Sequence, residues 1–169
     1  KLGGDVPAAD KDFYLGKATE RIFLPLIRTS LPDIVDMNMP VEGVFHNCVI
    51  VSIRKRYPGH AKKVMNAIWG LGLLTLSRCV IVVDDDVDVQ NLSSVAFYAF
   101  SNVDAGRDML VTEGPVDALD HAAPYFAYGS KVGFDATRKW PGEGLVREWP
   151  SEAVMSDEPI QQDVLLGDG

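Results

Sequence analysis

Asp84, Asp85, Asp86 and Asp88 follow directly on the apolar run Cys79-Val80-Ile81-Val82-Val83. Carboxylate oxygens suit hard divalent cations such as Mg²⁺ or Mn²⁺. An apolar strand ending in Asp-x-Asp is also how the metal site of many nucleotide-sugar transferases begins. Alternate strand residues face apart, so the four cannot converge, and Asp84 with Asp86 is the candidate pair. The plainer reading is a solvated strand end whose aspartates cap nearby amides. Arg54, Lys55, Arg56, His60, Lys62 and Lys63 make a basic cluster in an acidic chain. It spans a strand end and a helix start, where anions bind readily, but no glycine-rich phosphate loop accompanies it. A solvated rim or a subunit contact accounts for it as well. His46, His60 and His121 show no metal spacing, and no Gly-x-Ser-x-Gly elbow is present. Gly129-Ser130-Lys131 lacks the spacing of a Ser-x-x-Lys site, and Gly70-Leu71-Gly72 reads as a helix end. The residues assemble no self-contained catalytic set.

The elements that would position these groups are legible in part. Cys79 to Val83, β-branched and without polar alternation, reads as a strand covered on both faces. His46 to Ile53 reads as a second strand. Between them, Pro58 opens a helix with Val64, Ala67, Ile68 and Leu71 at helical spacing. Strand, helix and strand make a right-handed βαβ unit with parallel strands. Upstream, a helix starting at Asp12 carries Leu15, Ala18, Ile22, Phe23 and Leu26 on one face, with Pro25 expected to kink or end it. Ile34 to Met37 is a short extended piece. Asn91 is a candidate N-cap for a helix over Leu92 to Phe100. Asp108 to Thr112 reads as a third parallel strand closing a second βαβ repeat. From Glu113 the pattern becomes irregular. The expected class is α/β, a mixed, largely parallel sheet of βαβ units with helices packed on it, plus an extended C-terminal arm.

The 169 residues suit one domain, with 1–11 as a linker, 12–138 as the α/β domain and 139–169 as an arm that two subunits could exchange. A net charge of −8 argues against general binding to nucleic acid or anionic membranes. No run approaches the roughly 20 apolar residues of a membrane span, and the N-terminus has no signal-peptide pattern. Cys48 and Cys79 each sit in an apolar run and read as two buried free thiols of a cytoplasmic protein. A disulfide between neighbouring strands is the alternative, disfavoured in a reducing compartment.

Several ordered stretches resemble the C-terminal part of the UbiD family of reversible, prenylated-flavin-dependent decarboxylases. They are Leu15-Gly16-Lys17-Ala18-Thr19-Glu20, Pro40-Val41-Glu42-Gly43 and Tyr57-Pro58-Gly59-His60-Ala61-Lys62-Lys63-Val64-Met65. Val82-Val83-Asp84-Asp85-Asp86-Val87 and Arg107-Asp108 follow. The last is Gly129-Ser130-Lys131-Val132-Gly133-Phe134-Asp135-Ala136-Thr137, with Lys139-Trp140-Pro141-Gly142-Glu143 after it. Residues 42–47 and 114–121 look most like the quinone-biosynthesis branch, in particular menaquinone routes.

The resemblance implies an aromatic-acid carboxy-lyase whose cofactor, prenylated FMN with Mn or Mg, and whose catalytic Glu-Arg-Glu set belong to upstream sequence. No catalytic residue and no bound cofactor are then expected in this chain, and the aspartates become structural. It further implies a homo-oligomer, dimer or hexamer, and a domain that closes over an active site. Thr75, Val116, Asp117 and Leu119 would lie at the substrate edge, against a plain reading as loop and strand packing. Arg54, Arg56, Lys131 and Trp140 would serve subunit or interdomain contacts. A metal-dependent transferase using Asp84 to Asp88 and a pure oligomerisation module are the alternatives.

Overall fold

The computed structural model describes residues 10–44 and 47–150, the side chains of residues 10–15 excepted. His46, the leader before residue 10 and the arm beyond residue 150 lie outside the described residues. The elements run α1 (Asp10–Ser30), β1 (Ile34–Asn38), β2 (Cys48–Ile53), α2 (His60–Trp69), β3 (Cys79–Asp84), α3 (Leu92–Asn102), α4 (Ala105–Asp108), β4 (Met109–Pro115) and β5 (Tyr128–Asp135). One five-stranded sheet has the order β1-β2-β3-β5-β4. β2, β3 and β5 run parallel at its centre, and β1 and β4 pair antiparallel at the two edges. The fold is the mixed α/β class that the sequence implies, and β2-α2-β3 is the expected βαβ unit.

Burial explains why β2 and β3 read so clearly. Val49, Val51, Val80 and Val82 are at most fractionally exposed, on the face covered by α1 and α2 with Met65, Ile68 and Trp69. Ile50 and Val83 face the other way, onto α3 with Val95, Val87 and Val89. Both faces are apolar, so no polar alternation appears in the chain. Asn91 caps α3 as expected, its Oδ1 accepting from the Ser94 amide at 3.2 Å.

Three expectations are corrected. First, β4 does not close a second parallel repeat. It is an antiparallel edge strand, and the place beside β3 belongs to β5. β5 hides within the stretch read as irregular because its buried face is Gly129, Lys131, Gly133 and Asp135, with no large apolar side chain. Second, α1 runs unbroken through Pro25. Pro25 and Arg21 are both exposed, so the carbonyl deprived of its donor faces water. Third, α1 is rotated from its expected face. Ala18, Ile22 and Leu26 are exposed, while Glu20, Phe23, Leu24, Ile27 and Leu31 turn inward. The buried Glu20 carboxylate sets this register, accepting from the Met39 amide at 2.6 Å and from Lys17 at 3.0 Å.

Gly133 lets α2 lie close on the sheet. A Cβ there would stand 2.5 Å from Met65 Sδ and 3.3 Å from the Trp69 ring. Gly133→Ala is expected to cost about 1–3 kcal/mol by overpacking. Urea titrations should show the penalty shrinking when Met65→Ala is made in the same chain; an unchanged penalty would mean that this contact does not set the spacing.

Candidate functional site

The carboxyl ends of parallel strands are where α/β domains commonly place ligands. In this domain that edge is filled by the protein's own charges. Asp84, the last residue of β3, is buried and accepts from the Arg138 amide at 2.7 Å. The Arg138 guanidinium reaches Asp86 Oδ2 at 2.6 Å and lies 3.7 Å from Asp84. Burial raises the Asp84 carboxyl, against the pull of Arg138, whereas the Arg138 hydrogen bond lowers Asp86. Arg138 thus stands where a divalent cation would have to sit. Among the described residues no three His, Cys, Asp or Glu side chains group as metal ligands. The candidate metal pair is an internal ion pair.

Deeper at the same edge, Lys139 is almost fully buried with its ammonium 2.9 Å from Asp135 and 3.4 Å from Asp108. It also donates to the Asp135 and Thr137 carbonyls. Lys55 is equally buried and donates to Thr137 Oγ1 (2.9 Å), the Arg138 carbonyl (2.7 Å) and Glu143 Oε2 (2.5 Å). Glu143 in turn accepts from the amides of Gly59 (2.8 Å) and Trp140 (2.7 Å), tying the start of α2 to the segment after β5. Burial opposes ionisation of Glu143 and Asp108, but Lys55 and the two amides for one, and Arg107 for the other, hold both below the usual carboxylate range. Residues 139–143 are therefore hydrogen-bonded into the α/β domain, although the sequence boundary put them in the arm.

The basic cluster is mostly spoken for. Arg54 lies 3.5 Å from Asp85, Arg56 pairs with Asp33, and Lys62 donates to the Arg107 carbonyl. His60 stacks on Tyr57 at 4.4 Å and is buried, which depresses its basicity despite Asp33 nearby. An open anion site would need these donors free. Trp140 stays partly exposed at this edge.

The opposite end of the sheet, where β2, β3 and β5 begin, gathers the residues expected near substrate. Lys131 is buried, and its ammonium donates to the Thr75 carbonyl. Among the described residues no carboxylate is paired with it, and burial lowers its basicity. Val116 is buried, while Asp117 caps the following turn through the Leu119 amide at 2.7 Å. Arg78 holds that turn through Asp120 at 3.0 Å. Leu119, Tyr125 and Phe126 project outward with relative exposures of 68%, 70% and 86%. The structure thus unites Thr75, Lys131 and Val116 to Leu119, and separates them by the length of the sheet from Asp84, Asp86, Arg54, Arg56 and Trp140. Sequence reasoning gave Lys139, Asp135 and Glu143 no role and read Lys55 only as part of the basic cluster. Only the i,i+4 spacing of Asp135 and Lys139 hinted at a pair.

The fold and its two ends define a compact α/β module with an internally neutralised strand edge and an apolar loop rim. The family model described as the 3-octaprenyl-4-hydroxybenzoate carboxy-lyase C-terminal domain matches residues 13–136. The chain belongs to that family. A protein of Archaeoglobus fulgidus is 55% identical over 135 residues, covering 79% of this chain and 28% of the relative. One of Aquifex aeolicus is 52% identical over 155 residues, covering 92% and 32%. Both are described only as uncharacterized proteins. Among solved structures, the vanillic acid decarboxylase of Sedimentibacter hydroxybenzoicus in closed form superposes with a TM-score of 0.69 at 29% identity, covering 76% of this chain and 27% of that one. The UbiD-class enzyme HmfF from Pelotomaculum thermopropionicum, in complex with FMN, gives 0.66 at 25% identity, covering 80% and 30%. The chain spans less than a third of the length of the curated relatives it matches.

Glu143→Gln should destabilise the domain by about 3–5 kcal/mol, since it leaves the buried Lys55 ammonium without its carboxylate. The pH dependence has a defined sign. The folded Glu143 carboxyl lies below its ordinary value of 4.5, so its contribution is present above that pH and is lost as pH falls through the lower, folded value. Denaturant melts of wild type and variant from pH 7 to pH 3 should converge; a gap that stays constant would rule the pair out as the source.

Proposed function

We propose that this chain is the C-terminal assembly and lid domain of a non-oxidative aromatic-acid decarboxylase in cytoplasmic quinone biosynthesis. In this reading residues 12–138, with 139–143 bonded onto them, form the domain, and the chain after them leads into an arm that neighbouring subunits share. The observation that carries it is the contrast between a strand edge neutralised from within and an apolar, outward-facing loop rim at the other end of the sheet. A charged edge whose buried lysines and Arg138 are paired with carboxylates offers little to a substrate, whereas Leu119, Tyr125 and Phe126 make a rim suited to cover an aromatic ring. Thr75, Val116 and Asp117 shape the loops behind that rim, and the buried Lys131 fixes the loop before β3 through the Thr75 carbonyl.

The catalytic groups, prenylated FMN and its Mn or Mg belong in this reading to the part of such enzymes that the matched structures carry beyond the 27–30% that this chain covers. When bound there, the cofactor supplies the electron sink for loss of CO₂. This domain's own residues close the cleft, exclude water and hold subunits together. For assembly the chain offers α3, where Phe97 and Phe100 are 66% and 90% exposed. Beside them is an apolar cavity of about 300 Å³ lined by Ile81, Ala99, Phe100, Val103, Ala105 and Phe134. Exposed aromatics beside an apolar hollow are the composition of interface anchors. Among the described residues no helix is long and apolar enough to cross a membrane. Pairing of Asp84 and Asp86 with Arg138 favours this reading over a metal-dependent transferase.

Light scattering of the 169-residue chain should give a dimer or hexamer without flavin absorbance on the same peak, and Phe100→Asp should convert it to monomer with its circular dichroism unchanged. A monomeric wild type would remove the assembly role, and a peak carrying flavin would put cofactor-binding residues in this chain.

A further inference from the structure

Cys48 is the first residue of β2 and Cys79 the first of β3, and the two are Cα partners in the parallel register. Neighbouring strands lie about 4.8 Å apart, inside the Cα separation of about 4.4–6.8 Å that a disulfide spans. The strand starts are tied together by the Asn47 carbonyl, which accepts from the Arg78 and Cys79 amides at 3.0 and 2.8 Å. Both side chains share a face with Ile50 and Ile81, the face that α3 covers. α3 reaches Ile50, Val83 and Ala136 but leaves the strand starts open. Both thiols are half-buried rather than buried as the sequence suggests, and Val111, on the same face of β4, is 65% exposed.

The two sulfurs are not equivalent. The pairing of the two thiols raises Cys48, through its hydrogen bond to Cys79 and through burial, and lowers Cys79. Gly43 packs against Cys48 so closely that a Cβ on it would stand 2.4 Å from Cys48 Cβ. The Gly43 backbone therefore crowds the base of the Cys48 side chain. Neither thiol has a part in the function proposed above.

We propose that Cys48 and Cys79 form a reactive dithiol site that is oxidised by low-molecular-weight disulfides to a cross-strand disulfide. The Cys79 thiolate attacks one sulfur of the small disulfide, forming a mixed disulfide and expelling one small thiolate. Cys48 then loses its proton and its sulfur attacks the Cys79 sulfur, forming the Cys48–Cys79 bond and expelling the second small thiolate. The protein loses two hydrogens, and one disulfide is reduced to two thiols. The bond lies at a half-buried site within reach of small thiols, which reverse it by the same exchange.

The test is exposure of the native 169-residue chain to 2-hydroxyethyl disulfide, with acid quenching and intact mass measurement. Wild type should lose about 2 Da without accumulating adduct and recover its mass with dithiothreitol. Cys48→Ser should trap a single mercaptoethanol adduct at Cys79, and Cys79→Ser should react at least about tenfold more slowly. Wild type that accumulates one or two stable adducts, or that reacts only in denaturant, would overturn the proposal.

Discussion

Everything at the carboxyl edge of the sheet depends on two lysine ammonium groups, Lys55 and Lys139, buried where the strands end. Removing such a charge from water costs several kcal/mol unless its neighbours replace the lost hydration. Here Glu143, Asp135 and Asp108 supply charge, and carbonyls and a hydroxyl around residues 135–138 supply the remaining acceptors. The requirement fixes several elements together. The chain must turn back after β5, α4 must present Asp108, and the start of α2 must offer Gly59 N–H to Glu143. Arg138, carried between the two lysines, is thereby aimed at Asp84 and Asp86. The acidic run is legible as chemistry only because its partner lies 52 residues away from Asp86 in the chain.

What could be read from the sequence follows the same physics. Strands with apolar residues on both faces, β2 and β3, announce themselves because burial alone specifies them. The helix α2 between them is as plain, with Val64 and Ile68 turned onto the sheet. β5 was not legible as a strand, since its inward face is two glycines, a lysine and an aspartate that answer to α2 packing, the Thr75 carbonyl and Lys139. α1 misled because its inward register is set by a carboxylate, Glu20, and two apolar positions of the expected face, Ile22 and Leu26, are left outside. Composition reports what hydrophobic burial specifies and is nearly silent where buried polar groups decide.

The candidate site shows the same split. The loop rim was reached through resemblance to a family and not through residue types, for Thr75 and Val116 carry no chemistry of their own. Geometry gives them a role by placing a buried lysine against the Thr75 carbonyl and exposed aromatics on the turn beyond Val116. The two ends of one sheet thereby differ in kind: one is neutralised from within, and the other keeps apolar surface toward the outside.

The antiparallel edge strand β4 has a consequence for how copies of this domain can meet. An unpaired edge invites a second chain to add its own strand, the route that leads to uncontrolled aggregation. β4 ends in Gly114 and Pro115, and carries the exposed Glu113 that Tyr128 holds by a 3.1 Å hydrogen bond. Proline withholds an amide from any incoming ladder, and the carboxylate resists desolvation. Copies of this domain are thus steered away from recruiting one another through backbone pairing and toward contacts between side chains, which can be specific and can end at a defined number.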